Sequence, residues 1–251
     1  MNRIFIILIC CFFPLFGTYE RPTEVAVSLW NTLQPFFLPE DHPIKEKLDE
    51  IFSKGRPTLD EKSMRKAGFV GVHVRHYTKL VACKHPLLSG FLVKTFLDTI
   101  EKNQPEHHYW MKRIAGANVI RKYVSKHHLE HFFKVPRKWI YPLPLGGYSR
   151  HFVLIVEDMG ILSEQDNEHH WGSHDVSHDL LEKLFHLVTE LGFWDCTKPE
   201  NIPFCNDGKV AFVDTENRFS QKVRYHKLTP LLNANNREFW ECLIRCEKGT
   251  R

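Results

Sequence analysis

The spacing of apolar residues changes several times along the chain, and each change predicts an element. Residues 20–66 read as short helices. His42–Phe52 repeats its apolar positions at about 3.6 residues, and Thr58–Glu61 has the spacing of a capping box before a further helix. Val72–His76, Lys79–Lys84 and Gly90–Leu97 are compact enough and rich enough in Val, Leu and Phe to be three strands. A long helix is predicted from Tyr109 to about His128, with Trp110, Ile114, Ala117, Ile120 and Val124 on one face. Pro-punctuated residues 135–144 are extended, and His151–Glu157 reads as a buried strand ending in an acid. A second amphipathic helix carries Leu181, Leu184, Phe185, Val188 and Leu191. After it come a Pro-containing loop, an Asn-Asp-Gly turn at 206–208, a short strand Val210–Val213, and a last helix over Asn236–Cys246 with Phe239, Trp240 and Leu243 on its apolar face.

Ahead of these elements stands a different pattern. Arg3 precedes a continuous apolar run that is short for a bilayer span and ends at the small residues Gly17 and Thr18. Residues 1–17 therefore read as a secretory leader, with a mature chain starting near Thr18 and export across the inner membrane, to the periplasm or beyond. No transmembrane span is expected once the leader is removed.

Composition narrows the class. With 43% hydrophobic and 13% aromatic residues in 251, the chain is a folded globular protein. A net charge of +4, without a basic stripe interleaved with aromatics, argues against a nucleic-acid partner, and Arg121, Lys122 and Lys126 read as a solvated helix face. Beyond the leader, Cys83, Cys196, Cys205, Cys242 and Cys246 are too sparse for a disulfide framework, although Cys196 and Cys205 bracket one loop that a bridge would close. Of the 16 histidines, His170, His174 and His178 are spaced by four, but Gly172 and Ser173 interrupt them. Solvated histidines fit better than a metal site, with Ser173 or Ser177 capping the next helix.

Candidate chemistry concentrates in Trp194–Glu216. A loop there is expected to bring Lys198, Asn201 and Asp214 together, an amide oxygen and a carboxylate suited to Mg2+ beside a lysine suited to phosphate. Lys94 lies inside an apolar strand, where a buried ammonium needs an anionic neighbour. The Lys-Pro-Glu-Asn run at 198–201, and the thirteen residues from Asn201 to Asp214, resemble the catalytic loop of the protein-kinase-like superfamily. The order strand, strand, strand with Lys94, helix, strand, hinge is similar to its N-lobe, and Asn201–Phe204 with Asp207–Glu216 is similar to a degenerate bacterial kinase-like group.

The resemblance implies an α+β, two-lobed kinase-like fold. Its parts would be a helical extension at 18–66, an N-lobe at 67–157 and a minimal C-lobe at 158–251. It also implies ATP held by Lys94 and Lys198, Mg2+ held by Asn201 and Asp214, and catalysis by Asp195 and Lys198. Departures accompany it. Cys196 stands where the catalytic Asp belongs, with Asp195 one residue early, and Asp214-Thr215-Glu216 replaces Asp-Phe-Gly. The helix over 109–128 has no acid to pair with Lys94, only flanking Glu106 and Glu130. The hairpin at 75–79 has no glycine, although Gly68 and Gly71 precede it. Two functions stay open: a pseudokinase-type binding module presenting a surface to a protein partner, and a Mg-ATP phosphotransferase with Asp195 as a displaced base.

Overall fold

The computed structural model describes residues 19–249 except 76, 77, 102, 103, 145 and 220, with only the backbone of 248 and 249, so the predicted leader lies outside the described residues. The fold is mixed α+β. Three short helices come first: α1 (Val27–Leu33), α2 (Lys45–Ser53) and α3 (Glu61–Lys66). The cap of α3 is Asp60, whose carboxylate accepts the Ser63 N–H at 2.7 Å. The expected Thr58 capping box does not form, because the Thr58 hydroxyl is buried and donates to Asp98 instead.

Four antiparallel strands make the main sheet: β1 (Val81–Cys83), β2 (Phe91–Thr95), β4 (Lys138–Pro142) and β5 (Phe152–Glu157), in the order β1-β2-β5-β4. Of the predicted strand at 72–76, whose last residue lies outside the described residues, one bridge forms, Val74 to Val81, beside another from Val70 to Lys84. Gly71 and Lys79 both have positive φ there, which breaks the extended run. Between β2 and β4 lies α4 (Glu106–Lys126), followed by β3 (Phe133–Lys134), which pairs in parallel with β6 (Val210–Ala211). The strand predicted over 210–213 is thus only two residues long. Beyond it the Phe212 and Val213 amides donate to Lys134 and Asn201. The helices α5 (Glu164–Gly172), α6 (His178–Glu190) and α7 (Ala234–Gly249) complete the chain, and Ser177 caps α6 through the Leu180 N–H. Among the described residues, no helix is long and apolar enough to cross a membrane.

Alternation in the sheet separates two apolar cores. Val93, Val153 and Ile155 face Leu48, Phe52 and Met64 of the N-terminal helices. Phe96, Ile140, Phe152 and Leu154 face Trp110 and Ile114 of α4, with Trp30 and Leu33 of α1 closing the edge. The far half of α4 (Ile120, Val124) enters a third core with Leu184, Val188, Phe212 and Trp240. One 21-residue helix therefore joins the sheet to the helical remainder.

Candidate functional site

The two-residue period of the strands sets two lysines on the α4 face. Lys94 of β2 shares parity with Leu92 and Phe96, and Lys138 of β4 shares parity with Ile140, so both flank β5 on that side. Their ammonium groups meet the same backbone carbonyl, that of Val213, at 3.5 and 3.3 Å. Lys138 also donates to the Thr215 hydroxyl at 2.9 Å, and that hydroxyl donates to the Arg113 carbonyl on α4 at 2.7 Å. Gly116 makes the approach possible. A Cβ there would stand 1.9 Å from the Thr215 carbonyl oxygen.

Arg113 closes the group. It donates from Nε and Nη2 to Glu216 at 3.0 and 2.8 Å, and its Nη2 lies 3.4 Å from Asp214. Helix α4 starts at Glu106, earlier than predicted, because Pro105 is accommodated at its N-cap. That places Glu106 inside the helix. Its carboxylate is turned to Arg150 and the His151 N–H, away from Lys94.

The loop after α6 folds back on itself through the Lys198 and Asn201 amides, which donate to the Asp195 and Lys198 carbonyls. Asn167 of α5 clamps it from below, donating to the Pro199 carbonyl and accepting the Phe204 N–H. The Asn201 carbonyl accepts the Val213 N–H, and its side-chain NH2 donates to the Asp195 carbonyl at 3.0 Å. This leaves the Asn201 amide oxygen without a hydrogen bond among the described residues. The Cys196 thiol donates to the Asp214 carbonyl at 3.3 Å. It and Cys205 are free and buried, so the loop is closed by hydrogen bonds rather than by a disulfide. Asp195 accepts from Asn217 at 2.7 Å. Lys198 is half-buried, its ammonium 5.9 Å from the Trp194 ring centroid, on the wall of a cleft of about 760 Å3 that Arg75 also lines.

Electrostatics follow from this crowding. Burial works to raise the Asp214 carboxyl, yet Arg113, Lys94 and Lys138 together hold it below its ordinary range. Burial, reinforced by Asp214, raises the Asp195 carboxyl against the opposing Asn217 hydrogen bond. Burial and the Arg113 charge lower the Lys94 ammonium to about 8, and burial and the Lys94 charge hold Lys138 well below its ordinary range. Three basic side chains, Arg113, Lys94 and Lys138, thus act on one aspartate.

Mg2+ fits the oxygen chemistry of the place. Asp195 Oδ1 and Asp214 Oδ1 are buried and have no hydrogen-bond partner, and the Asn201 amide oxygen is the same hard donor type. The cationic surroundings of Asp214 oppose it.

The Lys94 ammonium and the Asn201 backbone carbonyl thus both meet Val213, next to Asp214, while Asp195 lies against Asn217 and Lys198 lines the cleft instead of joining them. Sequence reading overlooked Arg113, Gly116, Lys138 and Asn167. Arg113 and Gly116 did leave a signal: a charge beside Trp110 and Ile114 on an apolar helix face, and a glycine inside a strong helical pattern. Of the three histidines spaced by four, His174 and His178 are exposed, His178 stacking on Phe239 with ring centroids 4.0 Å apart, and His170 is half-buried, its ring centroid 4.1 Å from that of Phe204. No protein-family model matches the chain, and no curated protein matches it.

Proposed function

We propose that the chain is an exported, kinase-like binding module of pseudokinase type, which presents the cleft beside Lys198 to a protein partner. The sheet order, the helix between β2 and β4, and Lys94 above Asp214 support the kinase-like part of this reading. One observation carries the non-catalytic part. Arg113 stands on α4 and binds Asp214 and Glu216, so the carboxylate that would hold Mg2+ is already neutralised by the protein's own cations. Asp195 is correspondingly engaged by Asn217 and nearly inaccessible, 4% exposed. The cleft offers Pro199, Pro203, Pro230 and Leu231 as a contact surface, with Lys198 and Lys227 at its edge.

A second reading, Mg-ATP phosphotransfer, is favoured by the unpartnered Asp195 and Asp214 oxygens. There Asn201 and Asp214 would hold the metal, Lys94 and Lys198 the phosphates, and Asp195 would take the proton. Thermal unfolding with millimolar ATP separates the two, because a ligand bound only by the native state raises the melting temperature. The binding-module reading expects no Mg2+-dependent rise. A rise that requires Mg2+ and disappears in Asp214→Asn would overturn it in favour of the enzyme.

A further inference from the structure

A cavity of about 540 Å3 opens between α2, α3 and the turn after β1, among the elements that cover the sheet face opposite α4. Its size is that of a small-molecule site, roughly 300–1,000 Å3. Single exposed apolar side chains are ordinary, but here Leu59, Leu87 and Tyr148, exposed by 38, 42 and 37%, converge on one concavity above buried Ile51.

The polar groups of the walls are already engaged. Arg56 makes a fork to Asp98 at 2.8 and 2.9 Å, with both side chains about 5% exposed or less, and its guanidinium lies 4.5 Å from the Tyr148 ring centroid. His85 accepts the Leu87 N–H on Nδ1, so its Nε2 carries the proton that reaches the Ala67 carbonyl at 3.0 Å. At the mouth, Lys54 is neutralised by Glu50 at 2.7 Å. Lys66 makes no ion pair among the described residues, which leaves one positive charge beside the apolar walls.

We propose that this cavity binds an amphipathic monoanion, a small molecule whose aryl or acyl body lies on Leu59, Leu87 and Tyr148 and whose acid group meets Lys66. The site is separate from the cleft at Lys198 and independent of the function proposed for it.

The full chain titrated with 1-anilinonaphthalene-8-sulfonate tests this. A saturable fluorescence rise with one site per chain is expected, weakened about tenfold by Leu87→Glu and by Lys66→Glu. Both residues are exposed, so the folded state should survive, and an unchanged melting temperature checks that it does. Lys122→Glu, an equal charge change on α4, should leave binding unaltered, and ATP should not displace the dye. The uncharged analogue N-phenyl-1-naphthylamine should bind more weakly. Equal binding of that analogue, indifference to both cavity variants, or displacement by ATP would each overturn the proposal.

Discussion

At Gly116 a helix and an extended segment lie closer than any side chain allows. The atom in the way of a Cβ is the Thr215 backbone oxygen at 1.9 Å, which cannot swing aside as a flexible side chain could. Alanine would raise helix propensity by about 1 kcal/mol. It would also force Thr215 off α4, breaking the bonds to the Arg113 carbonyl and to Lys138, and overpacking of this kind costs about 1–3 kcal/mol. The steric term wins, so Gly116→Ala should lower stability in urea unfolding; a variant as stable as the parent would mean this contact is not made. Features that are local were visible in sequence: the loop that carries Asn201 to Asp214 by its turn residues, and Lys94 as a charge in an apolar strand, which the structure buries. Arg113 left a signal as a charge on an apolar helix face, but its partners and those of Lys138 did not, because they lie about 100 and 77 positions away and no periodicity reports such pairs.

Among the elements, helices with a strong apolar stripe and the strands of the main sheet at 81–83, 91–95 and 152–157 were legible, while the limits of the shortest strands were not. The stripe of α4, from Trp110 to Val124, is buried at all five predicted positions, and α6 buries Leu181, Leu184, Phe185 and Val188. A two-residue strand such as β3 carries too few residues for a period, and Val72–Val74 is undone by backbone turns on either side. What fixes the elements relative to one another was equally invisible. Asp98, just past β2, accepts from Arg56 and Thr58 before α3 and from the Arg150 N–H before β5. Arg150 in turn lies 3.5 Å from Glu106 at the start of α4. This buried network ties the N-terminal helices, the sheet and α4 at one corner. Removing one partner of a buried ion pair strands the other charge, at a cost of roughly 3–5 kcal/mol. Asp98→Ala should show a loss of that size in denaturant unfolding, with Asp98→Asn costing less because it keeps an acceptor for Arg150. A loss under about 1 kcal/mol for the alanine variant would mean the network contributes little.

For the molecule as a whole, the boundary near residue 66 divides helices from strands in sequence, but the packing runs straight across it. Val25, Trp30, Leu33, Leu38, Ile44, Leu48, Ile51, Phe52 and Met64 are all buried, and they supply one side of one sheet core and close the edge of the other. The Leu38 N–H donates to the Ile140 carbonyl at 2.9 Å, so the segment also covers the free edge of β4. Burying one large apolar side chain contributes about 1.5–3 kcal/mol. Even at the lower value, these nine together match the whole net stability of an ordinary domain, about 5–15 kcal/mol. The helices before residue 66 are therefore half of the sheet's core rather than an ornament on it. A fragment of residues 67–251 should lack a cooperative melting transition and give poorly dispersed amide NMR signals, since Tyr141, Val153 and Ile155 would face water and β4 would present an unpaired edge. A fragment that melts cooperatively near the temperature of the full chain would show the sheet and α4 to be self-sufficient, and residues 19–66 to be packed onto a core that does not need them.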